Sequence, residues 1–219
     1  MIVVALTGNY GMGKSSVTSL FQKCGACKID SDEIVAGLLQ KKAVIQKIRM
    51  LLGLEVLNAD CSLNKSVVAD IIFHNRTARK RLESLLHPLV FQAMEASIKK
   101  LKAGTIAPPL RGGDKGEGGT NDGLGNCVVI VEVPLLFEGG FQKRFDRTIA
   151  VYTSQKTALA RLKKKGIARK DALARLHSQM DIREKKSLAD YMIDNNGTRA
   201  QTMSQVRKIY KALIEGKAE

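Results

Sequence analysis

Residues 1–16 read MIVVALTGNYGMGKSS. The apolar run Ile2–Leu6 shows no alternation, which suits a strand buried on both faces, as in a parallel sheet. Directly behind it Gly8, Gly11 and Gly13 crowd a span where a core would prefer bulk, and Lys14, Ser15 and Ser16 follow. Gly8-x-x-x-x-Gly13-Lys14-Ser15 satisfies G-x-x-x-x-G-K-[ST] in full. Bare backbone can curl so that successive N–H groups point inward at phosphate oxygens. A helix opening behind Gly13 adds the positive end of its dipole. The spacing therefore predicts a nucleotide phosphate loop. Gly8, Gly11, Met12 and Gly13 supply its backbone, Lys14 reaches the β and γ phosphates, Ser15 ligates Mg2+ and Ser16 meets the α phosphate.

Outward from this loop, strands and helices alternate. The segment KSSVTSLFQKCG carries Val17, Leu20 and Phe21 at helical spacing and stops at Gly25. ACKID reads as a second strand ending at Asp30, 128–133 as a central strand, 147–154 as another, and DYMIDNNG as a last short strand with a turn at Gly197. Residues 33–57 and 65–102 read as helical, with a break at His87-Pro88 because proline disfavours helix at the residue before it. Two basic helices are expected over 155–165 and 170–186, separated near Gly166. Met203, Val206, Tyr210 and Leu213 mark one face of a closing helix. Such alternation implies right-handed crossovers and an α/β architecture, a parallel sheet with helices on both sides. Ligands of such sheets gather at the carboxyl ends of the strands. Residues 104–126, GTIAPPLRGGDKGEGGTNDGLGN, have too little apolar bulk to offset their ordering entropy and read as a flexible surface loop.

A chain of 219 residues buries one good-sized core with room for a smaller appendage. No apolar stretch approaches the ~20 residues of a membrane span. The start lacks the pattern of a signal peptide, so a cytosolic protein is expected. Cys24-x-x-Cys27 has no second close pair to complete a metal site, and reduced thiols near a helix–strand junction are expected. The net charge of +15 invites a nucleic-acid partner. Much of it lies between Arg161 and Lys186, however, and the chain has no tryptophan and few aromatics for base stacking. A phosphate-rich small substrate favours a basic face equally.

The loop alone does not separate ATPases, GTPases and small-molecule kinases. The chain has no N-K-x-D guanine signature. Asp30 and Asp32 bracket Ser31 at the end of the second strand, where a carboxylate could take the proton of an acceptor hydroxyl; the same DSDE also fits a helix N-cap. Glu132 ends the central strand, a position for an acid that holds Mg2+ through water. Arg161 and the lysines after it sit on the basic helix pair joined at Gly166, which could close as a lid, its arginines neutralising charge on a transferring phosphoryl group.

With these pieces assembled, the sequence resembles the dephospho-coenzyme A kinase family. Besides the loop, the resemblance rests on IDSDEIVAGLL (29–39), HPLV (87–90), EVPLLFE (132–138), ALARLKKKG (158–166), and RLHSQM through YMIDNNG (175–197). It implies a P-loop parallel five-stranded sheet flanked by helices, with a helical substrate-binding domain and a helical lid. It also implies transfer of the ATP γ phosphate to the ribose 3′-hydroxyl of dephospho-CoA. On this resemblance Asp32 is the general base and Asp30 its support, Arg161 contacts the transferring phosphate, and His87 lies on the substrate side. Asn195, Asn196 and Gly197 form the turn near adenine. The family loop T-G-G-I-G-S-G-K-S-T is altered here at Asn9, Tyr10, Met12 and Ser16. The lost glycine requires the curl at Asn9 to tolerate a side chain, which asparagine does better than most where φ is positive.

The expected organisation is one unit, 1–219. Its core takes in about 1–32, 127–154 and 187–219; a helical substrate domain covers 33–103, the flexible insert 104–126 and the lid 155–186. ATP, Mg2+ and dephospho-CoA are the expected ligands, with no nucleic acid and no membrane. Two rivals remain at this stage: a kinase of the same architecture with another acceptor, and a basic P-loop nucleic-acid-binding protein switched by ATP.

Overall fold

The computed structural model describes residues 1–103 and 127–216. The segment 104–126, expected as a surface loop, lies outside the described residues. Five strands, β1 (Ile2–Thr7), β2 (Cys27–Asp30), β3 (Val128–Glu132), β4 (Arg147–Tyr152) and β5 (Tyr191–Asp194), form one sheet in the order β2-β3-β1-β4-β5. β1 runs parallel to β3 and β4 on its two sides, and β4 runs parallel to β5. The helices are α1 (Lys14–Lys23), α2 (Ser31–Leu38), α3 (Lys42–Leu52), α4 (Lys65–His74), α5 (Arg76–Lys102), α6 (Gln155–Lys164), α7 (Arg169–His177), α8 (Ile182–Leu188) and α9 (Arg199–Glu215). No helix among the described residues is long and apolar enough to cross a membrane.

The chain divides into two compact units: Met1–Ile29 with Leu101–Glu219, and Asp30–Lys100. In the first, the period-two geometry of β1 feeds two cores. Val4 and Leu6 pack with Val17, Leu20 and Phe21 of α1 and Val206, Ile209 and Leu213 of α9. Ala5, between them, faces Leu136 and Phe137, with Val133, Phe145 and Met180 around them. Both faces of β1 are thus covered, which is why its sequence is apolar without alternation. Helix α9 starts at a capping box, with Thr198 and Gln201 satisfying each other's backbone donors.

The second basic helix expected over 170–186 is two helices. Residues 178–181 interrupt it, and Asp181 caps α8 by accepting the Arg183 N–H at 2.7 Å. Within the interruption Gln179 Oε1 accepts the Tyr10 N–H and the Met180 carbonyl accepts Asn9 Nδ2. The Cys24–Cys27 expectation agrees with the structure. Cys24 caps the end of α1, Cys27 opens β2, and both are free thiols. Cys27 Sγ lies 3.6 Å from Cys127 Sγ, and burial together with that contact pushes its thiol up to about 12, an inert state at neutral pH.

In the second unit Val44, Ile48, Val56, Leu63, Val68 and Leu82 form the core, with Leu85, Leu86 and Leu89 packed against it. The expected break at His87-Pro88 does not occur. α5 runs through Pro88 without interruption, and the boundary sits at Asn75, whose Oδ1 accepts the Ala78 N–H at 3.0 Å. Proline inside a helix costs about 3 kcal/mol. Leu82, Leu85, Leu86 and Leu89 straddle it and pack together, each worth up to ~1.5–3 kcal/mol when buried, so packing wins over local preference.

Phe21 is wholly buried between α1 and the sheet. Phe21→Ala is expected to lower unfolding free energy by about 3–5 kcal/mol, read from urea denaturation. A loss below 1 kcal/mol, on the order of a surface change, would mean that this core does not depend on it.

Candidate active site

β1, β3, β4 and β5 bring Thr7, Glu132, Tyr152 and Asp194 to one edge of the sheet, their carboxyl ends. The loop from Gly8 to Gly13 leaves β1 there and enters α1 directly. Gly13 is the N-cap of α1 in the left-handed region, with φ 89°, and no side chain caps the helix. The opening N–H groups of a helix have no acceptor within it. No acid stands in the first turn. Together these make the helix start a place for an anion.

Lys14 Nζ folds back over the loop and donates to the carbonyls of Gly8 at 2.8 Å and Asn9 at 3.3 Å. Ser15 Oγ donates to Glu132 Oε2 at 3.1 Å, and Glu132 is 6% exposed. Lys28 Nζ lies 3.9 Å from the other oxygen of Glu132. A hydroxyl and a carboxylate side by side are hard oxygen donors, the chemistry Mg2+ accepts, so this pair fits a divalent cation. Ser16, next on the helix, is exposed.

Arg161 reaches in from α6. It donates to the carbonyl of Asn195 at 2.8 Å and to that of Met12 at 3.4 Å. Asn195, 8% exposed, donates from Nδ2 to the same Met12 carbonyl at 2.9 Å and accepts Thr202 Oγ1 at 3.2 Å. A Cβ at Gly13 would fall on Asn195 Nδ2 and crowd Arg161. One at Gly11 would strike Leu162 of α6. Asn196 turns the other way: its Oδ1 accepts Thr153 Oγ1 at 2.8 Å and the Ser154 N–H at 2.7 Å. Gly197 leads into the α9 capping box, and a Cβ there would meet Gln201 Oε1. The structure therefore brings Gly8–Ser16, Glu132, Arg161 and Asn195–Gly197 to one end of one unit.

Asp30, Asp32 and His87 belong to the other unit. Asp30 closes β2 and caps α2, its Oδ1 accepting the Asp32 N–H at 2.9 Å. The capping use of DSDE is thus present, and the Asp32 carboxylate projects from an exposed residue. His87 is half-buried within α5.

Asn9 does not need the positive φ that the lost glycine suggested. Among the described residues only Cys61 is a non-glycine with positive φ. Asn9 is 5% exposed, and its Nδ2 donates to the Met180 carbonyl at 3.0 Å. The Tyr10 N–H donates to Gln179 Oε1 at 2.8 Å. Arg175 sits over the Tyr10 ring at 5.0 Å and donates to its hydroxyl at 3.1 Å. Gln179, Met180 and Arg175 were not singled out from the sequence as site residues. Their signal was present in the RLHSQM block, but a contact spanning 171 positions, as between Asn9 and Met180, has no local pattern.

A parallel sheet carrying a phosphate loop, a basic helix folded onto that loop, and a hydroxyl–carboxylate pair beside it define a P-loop phosphotransferase of the small-molecule kinase type. The dephospho-CoA kinase (CoaE) family model matches residues 2–109 and 122–201. The chain belongs to the dephospho-CoA kinase family. The dephospho-CoA kinase of Aquifex aeolicus is 30% identical over 96% of each chain, and that of Geobacter metallireducens 33% over 98% of each. Among solved structures, TT1252 from Thermus thermophilus aligns with a TM-score of 0.77 at 25% identity, covering 96% of each chain. Dephospho-CoA kinase from Campylobacter jejuni aligns at 0.66 and 25% identity over 98% of each.

Gly13→Ala is expected to displace Asn195 and Arg161 and to force a left-handed φ on alanine, costing about 1–3 kcal/mol. A thermal midpoint equal to that of the parent would mean the turn after β5 yields without resistance.

Proposed function

We propose that this chain transfers the γ-phosphoryl group of ATP to the ribose 3′-hydroxyl of dephospho-CoA, giving coenzyme A and ADP, the last step of coenzyme A formation. The observation that carries the reading is the convergence of Lys14, Ser15, Glu132 and Arg161 at the carboxyl edge of one sheet. Family membership supports the acceptor, since the matched segments include the IDSDE and HPLV blocks.

Phosphoryl transfer asks little covalent chemistry of the protein; it asks for positioning and charge neutralisation. The backbone of Gly8, Gly11, Met12 and Gly13 cradles the phosphates, with Ser16 at the α phosphate. Lys14 exchanges the loop carbonyls for the β and γ oxygens. Ser15 and Glu132 would hold Mg2+, which when bound neutralises phosphate charge as a Lewis acid. Arg161, already tied to the loop backbone, offers its guanidinium to the transferring group. Asn195, Asn196 and Gly197 border the adenine. Asp32 orients the 3′-hydroxyl and accepts its proton, Asp30 supports it, and His87 contributes to the acceptor side. In domain terms 33–103 serves the acceptor and 155–186 acts as the lid. The reaction is cytoplasmic and needs neither nucleic acid nor membrane.

The direct test is to mix the protein with ATP, Mg2+ and dephospho-CoA and look for coenzyme A by mass. Acceptor-dependent ADP release is expected; ADP release stimulated instead by oligonucleotides would sink the reading. Lys14→Ala should remove nearly all turnover while the chain stays folded, and undiminished kcat would refute its role. Asp32→Asn should lower kcat by roughly 10²–10⁴-fold, the usual worth of a general base, with little change in ATP affinity. A loss confined to KM would make Asp32 a binding residue only.

A further inference from the structure

Among the described residues Lys185 is the cation whose side chain is wholly out of solvent, at 0% exposure. Its Nζ donates to the Pro134 carbonyl at 2.9 Å and pairs with Glu138 Oε1 at 2.7 Å. Burial pulls its pKa down, and Glu138 opposes that pull. Each acceptor is shared with a second donor. Thr7 Oγ1 donates to the Pro134 carbonyl at 3.2 Å. The Met180 N–H donates to Glu138 Oε1 at 3.0 Å, and the Met180 carbonyl receives Asn9 Nδ2 at 3.0 Å. The two routes out of the ammonium therefore end on either side of the point where the phosphate loop leaves β1. One ends at Thr7, where the chain leaves β1, and the other at Asn9, two residues on.

Stability alone gives no reason to keep this charge. Replacing a buried ion pair by apolar groups of similar volume is often neutral or stabilising. Leu136 and Phe137, which lie in sequence between its two acceptors Pro134 and Glu138, are buried apolar residues. What an apolar side chain cannot do is aim two acceptors at once, and an ammonium with three donors can. We propose that Lys185 is a positioning residue: acting through Pro134, and through Glu138 and Met180, it fixes Thr7 and Asn9 and so sets the curl of the phosphate loop and its affinity for ATP. The inference rests on the reading of that loop as an ATP site.

Lys185→Met alone leaves Glu138 without its cation and can simply unfold the unit. The decisive variant is Lys185→Met with Glu138→Leu, which removes both charges. It is expected to melt close to the parent, to bind ATP between about tenfold and a hundredfold more weakly in calorimetric titration, and to keep the parent KM for dephospho-CoA. A purely structural role moves the melting temperature and leaves the split between the two substrates untouched. Asn9→Gly cuts the second route at its far end and trims only an amide. It is expected to weaken ATP severalfold in the parent and to add nothing in the double variant, since the two act on one route. Parent-like ATP affinity in the folded double variant overturns the proposal, as does strict additivity of Asn9→Gly with it. Should the double variant not fold, Asn9→Gly decides alone, and unchanged ATP affinity overturns it. A parent that binds ATP but makes no coenzyme A would sink the proposed acceptor and leave this comparison standing.

Discussion

The carbonyl of Met12 is the point at which three separate stretches of chain meet. Asn195 of the turn after β5 and Arg161 of α6 both donate to it, and the next residue, Gly13, is the N-cap of α1. Asn195 can approach because Gly13 has no side chain. The loop's curl and the positions of the arginine and the turn are therefore one constraint. Losing a donor to a buried carbonyl costs about 1–3 kcal/mol, a large share of a typical net stability. The glycine pattern usually read as a phosphate cradle is here also a packing requirement. It holds α6 and β5 against α1 whatever the loop carries.

A second set of contacts holds the opposite, entry half of the loop. Asn9 and Tyr10 spend an amide and an N–H on Met180 and Gln179, and Thr7 spends its hydroxyl on Pro134. The loop is thus gripped from both ends by polar contacts, while apolar packing stays beneath it in the two cores that sandwich β1. That division follows from the physics of each force. Apolar burial is non-directional and sets how much stability is available. Hydrogen bonds are directional and set where a few tenths of an ångström fall.

Much of the fold was legible because strong local patterns and global packing agreed. Ile2–Leu6 is apolar without alternation and is a strand covered on both faces; Val17, Leu20 and Phe21 recur at helical spacing and are buried. Local preference misled where packing opposed it. Pro88 argues for a helix end, yet leucines on both sides keep α5 continuous. It misled again at 178–181, where a helix that composition alone would continue is interrupted and Gln179 Oε1 and the Met180 carbonyl accept from the loop. In the site, the loop was readable because four specified residues, Gly8, Gly13, Lys14 and Ser15, fall within eight consecutive positions. Asn9 was readable only as a departure, because its partner, Met180, is 171 positions away. Lys185 looked like one more lysine in a basic run; its burial comes from elements that the sequence does not place beside it.

The same segment shows that cations adjacent in sequence can have different settings in the fold. Between Arg161 and Lys186 the sequence is crowded with cations, which suggests a continuous basic face for a polyanion. In the fold four of these cations are held at fixed points. Arg161 is tied to backbone carbonyls of the loop and the β5 turn. Arg175 lies over Tyr10 and bonds its hydroxyl. Lys185 is buried on Glu138, and Lys186 stands 3.9 Å over the Tyr152 ring. A groove that tracks a nucleic-acid backbone needs its cations on one solvated face, free to exchange counterions. While Lys163, Lys164, Lys165, Arg169, Lys170 and Arg183 stay exposed, the four held singly by carbonyls, a carboxylate and aromatic rings are suited to fixed points in a small site. There, one guanidinium correctly aimed outweighs several that are merely nearby.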